Sequence, residues 1–236
     1  MTVLVFLLIL LLSPASAAAQ APESTSTQLF RLVGRIEGKS HSGRNAAVKG
    51  MLGELGVAYT TMPFDTILIG KNRSDTISGE NIIVHLGAGR GTIVIGAHYD
   101  AVPGSPGAND NGGGVAVLLG LLQTLKSHRF NHSIEVCFFD REEDGLIGSA
   151  FYVKRYDPAA THLAMINLDV EGTGSEVYVG PVGGGDDDRI MTSVRRAEKL
   201  TGYRCVEDSS YPGSDHESFA AAKMENISIS VVPPGD

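Results

Sequence analysis

Three short apolar runs constrain the fold of this chain more than any other feature of its sequence. They cover residues 92–97, 133–139 and 162–168. Their apolar residues follow one another with few polar interruptions, which is typical of strands buried on both faces of a parallel sheet. Segments with helical spacing lie between them, over residues 112–126 and 146–155. The sequence therefore predicts an α/β fold, a three-layer α/β/α sandwich with a mixed, mostly parallel central sheet.

Further elements are predicted on either side of these runs. The periodicity predicts helices over 28–37, 45–55, 188–200 and 218–223, and strands over 82–86, 176–179 and 226–232. The glycine-rich stretch 87–91 separates the strand 82–86 from the strand 92–97 and predicts a hairpin between them.

Ionisable side chains follow each of the three apolar runs. His98 and Asp100 come after the first run, Glu142 and Glu143 after the second, and Asp169 after the third. Ligands of open α/β sheets collect outside the carboxyl ends of the strands, so these side chains are expected to converge. Converging carboxylates raise one another's pKa values, and one or two divalent cations relieve that conflict. The sequence therefore predicts a metal site at this edge of the sheet.

A glycine-rich loop contributes one further carboxylate. Asp110 lies in this loop, just ahead of the predicted helix 112–126. The glycines at 112 to 114 allow a tight turn that brings the Asp110 side chain inward.

Five sequence blocks together resemble the co-catalytic two-zinc aminopeptidase family, which includes secreted bacterial leucine aminopeptidases. In chain order they are Gly96-Ala-His-Tyr-Asp-Ala-Val102, Gly107-Ala-Asn-Asp-Asn-Gly-Gly-Gly114, Phe139-Asp-Arg-Glu-Glu-Asp-Gly-Leu-Ile-Gly-Ser149, Ile166-Asn-Leu-Asp169 and Gly213-Ser-Asp-His-Glu-Ser-Phe219. Each block alone is a weak signal, and the five in this order are a strong one. The resemblance extends from about Arg35 to Val232. Relatives within the family include plasma glutamate carboxypeptidase and the one-zinc glutaminyl cyclases.

The resemblance implies a ligand set for two Zn²⁺ ions. His98 and Asp169 resemble the ligands of one zinc, and Glu143 and His216 resemble those of the other. Asp110 resembles the carboxylate that bridges both. Imidazole and carboxylate are ligands that suit zinc and leave positions for water and substrate.

Two further residues resemble the catalytic groups of the family. Asp100 resembles the carboxylate that orients the histidine ligand, and Glu142 resembles the general base. Zinc can lower the pKa of bound water to about 7, which supplies hydroxide at neutral pH. The resemblance therefore implies a secreted two-zinc metallo-exopeptidase that hydrolyses the N-terminal peptide bond of peptide substrates.

Other functions stay open on the sequence. A glutaminyl cyclase-like acyltransferase has the same fold, although the intact blocks around His98 and Asp110 favour two metals. A non-catalytic, peptidase-like binding domain is the second alternative, and a full ligand set argues against it. The sequence does not separate aminopeptidase from carboxypeptidase, and it does not identify the residue that binds a substrate's free amine.

The composition excludes several classes of partner and site. The net charge is −8 and the sequence contains no basic stripe, so no nucleic-acid partner is expected. The two cysteines, Cys137 and Cys205, are too few for a thiolate zinc cluster. Whether they form a disulfide stays open.

The N-terminus has the pattern of a secretory signal. Residues 3–12 are apolar and residues 13–19 are mostly small, which predicts a signal peptide over residues 1–19 and a secreted or periplasmic protein. The apolar run is shorter than the about 20 residues that span a bilayer, so no stable membrane insertion is expected after cleavage. Residues 20–27 are predicted to be a disordered tail, followed by a single zinc peptidase domain over 28–236. The resemblance implies a closing helix beyond Val232, and we expect this domain to lack it.

Overall fold

The computed structural model describes residues 24–69, 74–157, 161–182 and 189–233. The predicted signal peptide, residues 1–19, lies outside these ranges. Within them, no helix has both the length and the apolar character needed to cross a bilayer.

Strands and helices alternate along most of the described chain. The strands are β1 Thr60–Ile69, β2 Ser74–Leu86, β3 Thr92–His98, β4 Ser133–Phe139, β5 His162–Leu168, β6 Glu176–Gly180, β7 Cys205–Glu207 and β8 Asn226–Val232. The α-helices are α1 Thr25–Val33, α2 His41–Glu54, α3 Gly114–Leu125, α4 Ile147–Tyr156, α5 Arg189–Thr201 and α6 His216–Ala221. A π-helical segment, Ala108–Gly113, leads directly into α3.

All the strands of the described ranges belong to one sheet, in the order β1-β2-β4-β3-β5-β8-β6-β7. The four central strands β4, β3, β5 and β8 are parallel to one another. Antiparallel pairings join β1 to β2, β2 to β4 and β6 to β8, and β7 is parallel to β6. The predicted mixed sheet with a parallel centre is therefore confirmed.

The side chains of the central strands alternate between two apolar layers. On β3, Ile93 and Ile95 belong to the larger core, whereas Val94 belongs to a second cluster on the other face. The larger core includes residues of α2, α3 and α5, and the smaller cluster includes Tyr152 of α4 and Phe219 of α6. Because successive strand residues point to opposite faces, these two layers confirm the α/β/α sandwich.

The predicted hairpin between the strands 82–86 and 92–97 is wrong. β4 lies between β2 and β3 in the sheet, and β2 forms its hairpin with β1 instead. Residues from Ile93 to His98 are all buried, which is typical of a central parallel strand, and β3 pairs with β4 on one side and β5 on the other. The chain therefore crosses over after β2 instead of turning back.

Three further features differ from the expectations. β1 was not predicted, since Pro63 and Asp65 interrupt its pattern, and an edge strand tolerates such residues. The short edge strand β7 was also not predicted. The predicted tail is wrong from Ser24 onward, because Ser24 accepts a hydrogen bond from Thr27 N and caps α1.

The two cysteines are both free thiols in separate strands. Cys137 is buried in β4, and Cys205 begins β7 and is half-buried. The described structure therefore contains no disulfide between them.

Candidate metal centre

The carboxyl ends of β3, β4 and β5 lie side by side in the sheet. β3 is parallel to both neighbours, and His98 is aligned with Phe139 while Gly96 is aligned with Asn167. The residues that follow the three strands therefore meet at one edge of the sheet, as the sequence predicted.

His98 is at the centre of this edge. Its side chain is 1% exposed, and its Nε2 atom lies 3.1 Å from Asp110 Oδ1 and 3.3 Å from Asp169 Oδ1. All three atoms are buried, and none has a hydrogen-bond partner of acceptable geometry within the described residues. Buried polar atoms are almost always satisfied, so three that converge without hydrogen bonds fit the ligands of a cation.

The loop that bears Asp110 is anchored by its asparagines. Asn111 Nδ2 donates to Leu168 O at 2.8 Å, and Asn111 Oδ1 accepts a hydrogen bond from Gly114 N at 2.9 Å. Asn109 Oδ1 accepts one from Gly172 N at 2.6 Å. These bonds tie the segment to the end of β5 and hold Asp110 beside Asp169.

Asp100 links the histidine to the loop after β4. Its Oδ1 atom lies 3.3 Å from His98 Nδ1, and its two oxygens accept hydrogen bonds from Glu142 N at 3.1 Å and Glu143 N at 3.2 Å. Burial opposes its ionisation, but His98 and these donors outweigh burial and lower the pKa of Asp100. Asp100 therefore stays ionised and holds both the His98 ring and the backbone at Glu142 and Glu143 in place.

The charge of His98 responds to the same carboxylates. Burial alone would lower its pKa, but the nearby carboxylates of Asp100, Asp110 and Asp169 outweigh burial and raise the pKa of His98 well above its usual value. A bound cation would take the place of this proton at Nε2.

Glu142 and Glu143 form a second group with His98. One ligand-type atom from each of the three residues lies within 4.8 Å of the others. Burial is the largest cause that raises the pKa of Glu142 to about 8, and the charges of Asp215 and Asp169 add to it. Glu143 Oε1 accepts a hydrogen bond from Val102 N at 3.1 Å, which fixes one end of its carboxylate.

His216 is the predicted ligand that belongs to neither group. It is buried at the start of α6, with its ring edge-on to Tyr211 at 6.0 Å between centroids. Its Nδ1 atom is buried and has no hydrogen-bond partner within the described residues. Burial lowers its pKa, so the ring is neutral, which is the state that binds metal. The structure thus brings together four of the five predicted ligands, and the fifth lies outside both groups.

The donor set fits zinc better than a harder cation. Each group contains an imidazole nitrogen, and the carboxylates complete it. Calcium and magnesium prefer oxygen ligands alone, whereas zinc accepts imidazole with carboxylate.

Comparison with known protein families decides the classification. The sequence model of peptidase family M28 matches residues 81–235. This chain belongs to peptidase family M28.

Curated relatives of this M28 chain are aminopeptidases by name. Aminopeptidase YwaD of Bacillus subtilis is 35% identical over 143 residues, which cover 58% of this chain and 31% of that protein. Leucine aminopeptidase 2 of Trichophyton rubrum is 33% identical over 94 residues, which cover 40% of this chain and 19% of that protein. The chain therefore spans less than a third of the length of these relatives.

Solved structures share the M28 fold. A zinc aminopeptidase from Bacillus subtilis superposes with a TM-score of 0.76 at 17% identity, covering 89% of this chain and 85% of that one. An aminopeptidase from an Aneurinibacillus strain gives a TM-score of 0.60 at 27% identity, covering 69% and 42%. A glutaminyl cyclase from Porphyromonas gingivalis gives a TM-score of 0.70 at 21% identity, covering 89% and 84%.

The sequence reasoning missed two buried groups beside the M28 site. Asp215 is fully buried, and its two oxygens have no hydrogen-bond partner within the described residues. Burial raises the pKa of Asp215 to about 7. The sequence signal that could have identified Asp215 is its position next to His216 in the block Gly213–Phe219. Glu171 follows β5, and its buried Oε1 atom also lacks a hydrogen-bond partner in the described ranges.

Proposed function

We propose that this chain is a two-zinc metallo-aminopeptidase that removes the N-terminal residue from peptides. The observation that carries the proposal is the convergence of His98, Asp110 and Asp169, whose buried ligand-type atoms lie within 4.8 Å of one another. Membership of family M28 and the aminopeptidase names of its relatives support the reaction class.

The proposed ligand set divides five residues between two ions. His98 and Asp169 would hold one zinc, Glu143 and His216 the other, and Asp110 would bridge them. When bound, the two ions would supply Lewis-acid activation of water and of the scissile carbonyl. Asp100 orients His98 through Nδ1 and, by accepting two backbone N–H groups, holds Glu142 and Glu143 at the same edge.

Glu142 is the proposed general base. Its carboxylate oxygen Oε2 lies 4.0 Å from His98 Nε2, so it faces the proposed metal position without occupying the closer ligand positions. Burial is the largest cause that raises its pKa to about 8, so this carboxylate holds an accepted proton more tightly than an exposed one would. It would take a proton from the attacking water and return it to the leaving amine.

The Glu142→Gln variant tests this proposal. Hydrolysis of leucine p-nitroanilide should fall by about 10²- to 10⁴-fold, which is the usual contribution of a general base, while the zinc content stays at the wild-type value. The matched control is Glu37→Gln, a change at an exposed carboxylate, which should retain activity. Wild-type turnover by the Glu142→Gln variant would contradict the assignment of the base.

The similarity to a glutaminyl cyclase calls for a second assay of the wild-type protein, with a different substrate. That enzyme shares the fold at a TM-score of 0.70. We expect a peptide with N-terminal glutamine to be hydrolysed by this chain and not cyclised. Cyclisation without hydrolysis would favour the acyltransferase instead.

We propose further that residues 1–19 are a signal peptide and that the catalytic domain acts outside the cytoplasm. The apolar run and the small residues after it support this, and one relative is named a probable lipoprotein aminopeptidase in Mycobacterium tuberculosis. Mass spectrometry of the protein exported by a bacterial host should find an N-terminus near residue 20. A full-length cytoplasmic product would contradict the proposal.

A further inference from the structure

A cavity of about 360 Å³ opens beside the candidate metal centre. One wall is formed by Asp100, Glu143 and the loop 101–105. The other is formed by residues 39–41 and Arg44, around the start of α2, and by the loop residues Arg141 and Asp144. The cavity therefore adjoins two residues of the proposed site, within reach of a peptide bound there.

The acidic groups around this cavity are already engaged within the protein. Asp100 accepts the two backbone N–H groups of the Glu142–Glu143 loop, and Asp144 accepts a hydrogen bond from Arg141 Nη1 at 3.1 Å. Glu143 accepts the hydrogen bond from Val102 N and is a proposed metal ligand. Each of these carboxylates therefore already accepts at least one hydrogen bond from within the protein.

Two cationic groups of the cavity, Lys39 and Arg44, have hydrogen-bond donors without a partner among the described residues. The Lys39 ammonium has no hydrogen-bond or ion-pair partner among the residues that the structure describes. Arg44 is 1% exposed, and its Nη2 atom is buried and unpartnered in the same ranges, although Nε and Nη1 are bonded. A buried guanidinium nitrogen without an acceptor is costly, so Arg44 keeps one unsatisfied donor beside the cavity that it lines.

The first turn of α2 adds a further positive contribution to that of the Lys39 and Arg44 side chains. α2 has 14 residues, and Ser40 and His41 at its N-terminus border the cavity. The amino end of a helix dipole favours an anion. The Lys39 side chain lies along this turn, since its Cβ would be 3.3 Å from a methyl group placed on Gly43.

From these contacts we propose that the cavity is a carboxylate subsite, in which Lys39, with Arg44 behind it, binds a carboxylate of the peptide substrate. This inference rests on the proposed peptidase function. Two sources of the carboxylate fit the chemistry: the C-terminal α-carboxylate of a dipeptide, or an acidic side chain on the residue after the cleaved bond.

Two matched pairs of substrates test the proposal and separate the sources. The full-length zinc-loaded protein is assayed with Leu-Gly against Leu-Gly amide, and with Leu-Asp amide against Leu-Asn amide. In at least one pair the acidic member should have the higher kcat/KM by about tenfold, which is typical of one charge-assisted hydrogen bond. A preference in the first pair identifies the α-carboxylate, and a preference in the second identifies the side chain.

The Lys39→Met variant shows whether the preference depends on this cavity. The ratio of kcat/KM values should fall close to one in Lys39→Met and should be largely retained in Lys39→Arg. Lys154→Met, which changes an exposed lysine on α4, is the matched control and should keep the wild-type ratio. Ratios near one in both wild-type pairs, or a ratio that Lys39→Met leaves intact, would overturn the subsite. Hydrolysis of leucine p-nitroanilide, which has no carboxylate, reports separately on the proposed function.

Discussion

Arg44 Nε donates a hydrogen bond to the carbonyl oxygen of Tyr99, the residue between His98 and Asp100. Arg44 Nη1 also donates to Gly107 O at 3.1 Å, in the loop that carries Asp110. One buried guanidinium from α2 therefore joins the two loops that bring together the proposed ligands. α2 precedes residue 81, where the match to the family begins, so this support is supplied by a part of the chain outside that match.

We predict that Arg44→Met weakens zinc binding. Loss of the guanidinium frees both loops, and residues that support metal ligands typically contribute about 10- to 100-fold in affinity. Competition with a chromophoric chelator measures this affinity, and circular dichroism checks that the variant is folded. Arg35→Met is the control, because Arg35 pairs with Glu54 at the surface. A folded Arg44→Met protein with the affinity of Arg35→Met would refute the prediction.

We also predict that Gly107→Ala destabilises the protein more than Gly104→Ala. Both glycines have positive φ, 61° and 91°, so both substitutions strain the backbone. Only at Gly107 would the new Cβ also lie 2.5 Å from Arg44 Nη1 and 2.6 Å from Ala101 Cβ. The extra overlap should lower the free energy of unfolding by about 1–3 kcal/mol relative to Gly104→Ala in urea denaturation. Equal losses would show that the loop moves aside freely.

The sequence allowed the candidate metal centre at the edge of the sheet to be predicted, because most of the residues of that centre lie in local patterns. His98 and Asp169 each follow an apolar run, and parallel neighbours align such ends without further information. The position of His216 was not predictable in the same way, since it depends on how α6 packs after a long connection. Arg44 gave no local signal either, because its burial arises only when α2 docks against the loops around Tyr99 and Gly107.

The order of the strands was predicted less well than their existence. The stretch Gly87–Gly91 has the composition of a hairpin turn, yet β4 separates the strands that it joins. Non-local pairing decides this, and the burial of β3 on both sides is visible only once β4 and β5 are placed. β1 was missed for the same reason: its pairing with β2 is non-local and outweighs the unfavourable effect of Pro63 on strand formation.

The pair His85–Glu135 should give a pH-dependent contribution to stability. The two residues are opposite each other on β2 and β4, with His85 Nδ1 3.2 Å from Glu135 Oε1. The hydrogen bond to Glu135 is the largest cause that raises the pKa of His85, whereas His85 and Tyr152 outweigh burial and lower the pKa of Glu135. The histidine contribution is complete below its unfolded pKa of about 6.5 and is lost as pH rises through the raised value. The glutamate contribution is complete above about 4.3 and is lost as pH falls through the lowered value.

Urea denaturation of the wild type and of His85→Gln at several pH values checks this expectation. The stability difference between them should be largest between about pH 4.5 and 6.5 and should shrink towards pH 9. Both proteins are measured with chelator so that metal binding does not contribute. A difference that grows with rising pH would contradict the sign of the shift.

The central claim is that His98, Asp110, Glu143, Asp169 and His216 together bind two zinc ions. Its most direct test is the zinc content of the dialysed full-length protein, measured by plasma mass spectrometry against protein concentration. The account predicts two zinc ions per chain in the wild type and about one in His216→Ala, since that change removes a ligand of one ion only. A wild-type protein that retains one zinc or none at saturation would contradict it.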